Sequence, residues 1–108
     1  MARALVNSIS SGQGYYRAVT TTASINVTDY FISASGASNY AVTLPSAITS
    51  GMGKIIIIKS FMNTGILLNI ATTSAQLIDG INPGTTPKTL ARLESIQIIS
   101  NGSNWEIY

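Results

Sequence analysis

A chain of 108 residues carrying a net charge of +2 has the length of about one domain, which excludes a second. Charged residues are 9% of it, against the ~25% usual for soluble domains, so the surface is built mostly from Ser, Thr, Asn, Gln and Gly. The basic residues Arg3, Arg17, Lys54, Lys59, Lys88 and Arg92 are scattered rather than gathered into a phosphate-tracking stripe, and cysteine is absent, which together exclude nucleic-acid binding, disulfides and thiolate metal sites.

The N-terminus, MARALVNSISSGQGYY, lacks the apolar core of a signal peptide. A weak helical period over Ala2 to Ile9 fits either a short helix or a strand, and Ser8 to Gly14 reads as a hinge. Residues 1–14 are therefore expected to form an arm or hinge, and residues 15–108 a single head domain. From Tyr15 onward apolar and polar residues alternate between clusters of Gly, Asn, Ser and Pro, the signature of short strands. Tyr15 to Thr22 comes first, then Ile25 and Val27 sharing a face, then Tyr30, Ile32 and Ala34 against Phe31 and Ser33. Tyr40, Val42 and Leu44 follow, stopped by Pro45, which cannot donate to a ladder.

After a turn at Ser50 to Gly53 comes Lys54-Ile55-Ile56-Ile57-Ile58-Lys59, a run that puts two isoleucines on each face of one strand. Such runs normally mark parallel strands covered on both sides by helices, yet the chain has almost no helix to offer. Another sheet, or another copy of the chain, has to cover the second face. Ile66, Leu68 and Ile70 make the next strand, Gln76 to Ile78 a short piece ended by the Asp79-Gly80 turn, and Asn82 to Lys88 a loop. Leu93 to Ser100, with Ile96 and Ile98 together, and Trp105 to Tyr108, with Trp105 beside Ile107, form a hairpin about Asn101-Gly102-Ser103-Asn104. Eight or nine short strands at this spacing predict an all-β fold, a jelly-roll-like antiparallel β-sandwich. No apolar run is long enough to span a bilayer, so no membrane insertion is expected.

Catalytic chemistry has little to work with. Histidine is absent, which removes the commonest general base and the Ser-His-Asp triad. The acids Asp29, Asp79, Glu94 and Glu106 could supply a glycosidase-type pair, but Asp79 sits in a turn and Glu94 and Glu106 at polar positions of the closing hairpin. Gly51-Met52-Gly53-Lys54 lacks the first Gly and the final Ser or Thr of a phosphate-binding loop. Asp79 with Asn82 is a poor cage for Ca²⁺. No enzyme, cofactor or metal is expected. For ligand binding, Tyr15 and Tyr16 are the candidates, able to stack on sugar rings, whereas Trp105 belongs to the core.

The segments Tyr40-Ala-Val-Thr-Leu-Pro-Ser-Ala47, Gly53-Lys-Ile-Ile-Ile-Ile-Lys-Ser60, Leu77-Ile-Asp-Gly80 and the closing Ser95 to Tyr108 resemble, in order and spacing, the terminal domains of phage and viral fibres and tail appendages. The likeness covers residues 39–108, and Ser60 to Asn63 departs from the acidic or glycine-containing turn common there. The resemblance implies a β head, usually a homotrimer, joined on its N-terminal side to a fibre shaft or capsid at the virion surface and recognising a host surface glycan or protein. It transfers no receptor site, since receptor-reading loops vary within such groups. The expectation is a non-enzymatic trimeric head with Ile55, Ile56, Ile57 and Ile58 partly in the subunit interface; the alternatives are a monomeric carbohydrate-binding module using Tyr15 and Tyr16, and a glycan-cleaving enzyme using carboxylates.

Overall fold

The alternation resolves into nine strands in two sheets among residues 15–108, the part of the chain that the computed structural model describes. The expected arm over residues 1–14 lies outside the described residues. One sheet has the order β1 (Tyr16–Val19), β3 (Phe31–Gly36), β5 (Ile55–Met62), β8 (Ser95–Ser100), β9 (Trp105–Ile107). The other has the order β2 (Ala23–Ser24), β4 (Tyr40–Thr43), β6 (Leu68–Ala71), β7 (Lys88–Leu90). No helix of the described residues is long and apolar enough to cross a membrane.

The sheets are mixed, which corrects the expected antiparallel, jelly-roll-like arrangement. β1 pairs parallel with β3 and β3 with β5, while β2 pairs parallel with β4 and β4 with β6. The physical reason lies in the connections. Through its first six strands the chain crosses to the opposite sheet after each strand, so it returns to its own sheet only after a full coil and arrives in the same direction. Antiparallel pairs enter with the last three strands, where β7 joins β6, β8 joins β5, and β9 joins β8.

The isoleucine strand β5 has Ile56, Ile58, Ser60 and Met62 at 0% exposure, and Ile55 and Ile57 half-buried on the opposite side. Its inward residues share one core with Ile32 and Ile98 of the same sheet and with Val42, Leu68 and Ile70 of the other. Each such side chain contributes roughly 1.5–3 kcal/mol. Trp105 is fully buried, and its Nε1–H donates to the Pro45 carbonyl at 3.2 Å. The closing hairpin turns as its sequence predicts, with Asn101 N–H donating to the Asn104 carbonyl and Gly102 at φ 97°, a region glycine occupies without a Cβ clash.

Three local expectations change. Ile25 is buried and donates to the Thr43 carbonyl, but Val27 is 46% exposed instead of sharing its face. The chain turns there because Asp29 Oδ2 accepts the Asn26 N–H at 2.8 Å, while the Asp29 N–H donates to the Asn26 carbonyl. The Gln76 to Ile78 strand is reduced to an isolated bridge, in which Ile78 and Ile81 exchange both 2.9 Å hydrogen bonds around Asp79 and Gly80. Both turn residues have positive φ, 51° and 77°, the requirement of a two-residue type I′ turn. Finally, a one-turn helix α1 (Ala47–Ser50) follows Pro45, capped by Ser46 Oγ accepting the Thr49 N–H.

The edge formed by β1 and β2 is closed by an ion pair. Arg17 lies half-buried on the inward side of β1, in register with Ile32 and Ile58, and its guanidinium donates to the Asp29 carboxylate and, at 2.6 Å, to the Ser24 carbonyl of the opposite sheet. Nearby, Tyr40 Oη donates to the carbonyls of Ser35 and Val19, and its ring approaches Gly36 so closely that a Cβ there would sit 3.1 Å from Cε2.

Burial raises the Tyr40 pKa above its ordinary 10.0, with the Ser35 hydrogen bond opposing. A folded-state value above the unfolded one means that this stabilisation is present below pH 10 and is lost as pH rises through the folded value. Burial lowers the Lys54 pKa, with Asp29 opposing, so Lys54 acts in the opposite sense over the same alkaline window. Melting curves between pH 9 and 11.5 are therefore expected to show a smaller alkaline loss in Tyr40→Phe than in the parent, and an equal loss would show that Tyr40 carries none of it.

Candidate functional site

The two sheets present different outer faces, and the difference follows from register. Across the four-stranded sheet the outward residues are small: Ala41, Asn69 and Thr89 align in one row, and Ser24, Thr43 and Ala71 in the next. Across the five-stranded sheet, Tyr16, Phe31, Ile57 and Gln97 form one row, and Ile55 aligns with Ile99 and Glu106 in the row beside it. Tyr108 donates its N–H to the Gln97 carbonyl and extends the first row. Aromatic and aliphatic side chains from four strands, Tyr16, Phe31, Ile55, Ile57 and Ile99, thus make one apolar band on the outside of the protein.

Within the band the Tyr16 and Phe31 rings stack, with centroids 5.5 Å apart and planes 11° from parallel. Phe31, Ile55, Ile57 and Ile99 are half-buried and Tyr16 is 65% exposed. The flanks are polar and of opposite sign. Lys59 lies in the row Ala18, Ser33, Lys59, Ser95, where Nζ donates to the Leu93 carbonyl at 2.7 Å and sits 5.7 Å from the Phe61 ring centroid. Glu106 lies on the other side and accepts from Asn101 Nδ2 at 2.8 Å. An apolar strip between a cation and an anion suits association with a protein surface of matching pattern better than it suits solvent.

The four isoleucines of the expected interface divide between two roles. Ile56 and Ile58 are enclosed in the core of the chain itself and cannot touch a partner, which narrows the expected interface to Ile55 and Ile57. Tyr15 and Tyr16 are exposed, at 59% and 65%, but Phe31 already covers one face of the Tyr16 ring. That leaves a single face of Tyr16 for a sugar.

The acids each have a partner of their own. Asp29 belongs to the Arg17 ion pair; Asp79 Oδ1 accepts the Ile107 N–H, Glu94 Oε1 accepts the Ala91 N–H, and Glu106 is bound to Asn101. Each carboxylate fastens its own turn or edge. Asn82 Oδ1 accepts the Gly84 N–H, and among the described residues no group of three His, Cys, Asp or Glu converges on a metal position.

The apolar band is hidden from the sequence because its neighbouring residues are 15 to 44 residues apart in the chain. Tyr16, Phe31 and Ile57 meet only through the parallel pairing of β1, β3 and β5. Alternation within each strand names the residues that share a face but says nothing of which face is outside. Comparison of the chain with protein-family models, with curated proteins and with solved structures gives no match.

Proposed function

We propose that this chain is a non-enzymatic virion protein, the β-sandwich head of a fibre or capsid appendage, assembled as a homotrimer through the outer face of its five-stranded sheet. In this reading Ile55 and Ile57, with Phe31, Tyr16 and Ile99, form the subunit interface, and Ile56 and Ile58 back it from inside. The head serves attachment, either to a host surface glycan or protein or of the fibre shaft to the particle. The observation that carries the proposal is the apolar band on one outer face beside the small, hydroxyl-rich residues of the other. Its support from sequence is the resemblance described above, whose segments lie on β4, on β5, on the Asp79-Gly80 turn and on the β8–β9 hairpin.

Half-buried aliphatic groups on a sheet face gain further by leaving water, roughly 25 cal/mol per Å² of apolar surface. A chain without cysteine has no disulfide to hold it, so sister copies closing over this face would add to its stability. Light scattering tests the proposal. A mass three times the 11.4 kDa of the chain supports it. A monomer at every concentration reached overturns it and favours the carbohydrate-binding module, for which the exposure of Tyr15 and Tyr16 is the supporting observation.

A further inference from the structure

Two edge strands carry a cation where the alternation points inward, a device that prevents edge-to-edge pairing. Arg17 on β1 is one, and its charge is met by Asp29 at 2.9 Å. Lys88 on β7 is the other, half-buried and in register with the core residue Ile70, and among the described residues it forms no ion pair. The fold thus compensates one inward cation and leaves its counterpart open.

Lys88 lines a half-open cavity of about 130 Å³ at the opposite edge of the protein, where β7 and β9 leave the two sheets unjoined and the segment from Ile78 to Pro87 bridges them. Its walls are mostly apolar, from Ile78, Ile81, Ile107, Pro83 and Pro87, with Thr86 beside them. Asp79 also borders the cavity, but its Oδ1 accepts the Ile107 N–H at 2.8 Å, and it forms no ion pair with Lys88.

We propose that this cavity binds a small aliphatic carboxylate, its head group on the Lys88 ammonium and its hydrocarbon tail against Ile78, Ile81 and Ile107. Volume sets how much of the tail is covered. An apolar cavity of about 150 Å³ holds benzene, so this pocket, open to solvent on one side, covers about five or six carbons. Charge sets the head. One ammonium among apolar walls matches a single negative charge, whereas a phosphate calls for several donors. Each methylene withdrawn from water strengthens binding about fourfold, which makes acetate too short to bind measurably.

The test uses the full chain with ¹³C-labelled isoleucine methyls, titrated with hexanoate, hexan-1-ol, hexylamine and acetate. Hexanoate is expected to give saturable shifts at Ile78, Ile81 and Ile107, hexan-1-ol the same shifts about tenfold more weakly, and hexylamine and acetate none. In Lys88→Met, which keeps the apolar stem, hexanoate is expected to fall to the level of hexan-1-ol while hexan-1-ol itself is unchanged. The proposal is overturned if hexanoate gives no saturable shift, if hexylamine binds as well as hexanoate, if Lys88→Met leaves the hexanoate affinity intact, or if the shifts centre on Ile55, Ile57 and Ile99 instead.

Discussion

A protein carrying Ile57→Asp is expected to stay folded and lose its sister copies, whereas Ile58→Asp, one residue along the same strand, is expected not to fold. Ile58 is at 0% exposure, aligned with Ile32 on one side and Ile96 on the other, so a carboxylate there has neither water nor a partner. Burying it uncompensated costs several kcal/mol even if it takes up a proton, a large fraction of the ~5–15 kcal/mol that holds a domain of this kind together. Ile57 faces the other way, between Phe31 and Gln97 on the outer band. Within one chain its replacement removes only a half-buried contact. In the proposed trimer it sets a carboxylate in each of three apolar interfaces, which separates the copies. Light scattering and thermal melting together read the result: a cooperative melt at the mass of one chain for Ile57→Asp, and no cooperative melt for Ile58→Asp. A trimeric Ile57→Asp protein with unchanged melting would move the interface off this face, and a folded Ile58→Asp protein would contradict the burial itself.

This contrast between neighbours also separates what a short stretch of sequence encodes from what it does not. The alternation in Leu93 to Ser100 puts Ile96 and Ile98 on one face, Asn101 to Asn104 makes its hairpin, and Asp79-Gly80 makes its turn, because each of these signals is complete within a few residues. The isoleucine run was less transparent. A strand apolar on both faces is the mark of parallel pairing, and β5 does pair in parallel with β3, but the scarcity of helix argued for an antiparallel sheet instead. What resolves the conflict is a coil in which successive strands cross between two sheets, so that parallel neighbours form without crossover helices. That arrangement depends on connections of residues far apart, which no local period encodes. The Ser46 cap after Pro45 is a local signal, while the exposure of Val27 depends on Asp29, whose partner Arg17 lies on another strand. The same non-locality hid the band formed by Tyr16, Phe31 and Ile57.

Truncating Trp105 to Ala is expected to destabilise the protein by about 3–5 kcal/mol, the range for removing a large buried aromatic side chain. Trp105 is the largest enclosed side chain, yet it stands on β9, a three-residue strand at the edge of its sheet. Its size is what fixes so short a strand. Its indole reaches the Pro45 carbonyl ahead of α1, its backbone N–H donates to Leu77, and its carbonyl accepts from Asp79. The side chain and the backbone of one residue therefore hold α1, β9 and the Asp79-Gly80 turn in place together. Trp105→Phe separates volume from hydrogen bonding: it keeps most of the apolar contact and loses the bond to the half-buried Pro45 carbonyl. A loss of about 1–3 kcal/mol is expected for it. Urea unfolding of both variants checks the order. If Ala costs no more than Phe, the core does not depend on the bulk of the indole, and the hydrogen bond to Pro45 carries the whole effect. If both lie within about 0.5 kcal/mol of the parent, as substitutions at unengaged surface positions do, Trp105 is not the anchor of this edge. Because the Ile78–Ile81 hairpin is tied to Trp105 through Leu77 and Asp79, the Ala variant is also expected to disturb the Ile78 and Ile81 methyl resonances while leaving Ile55 and Ile57 on the outer band unmoved.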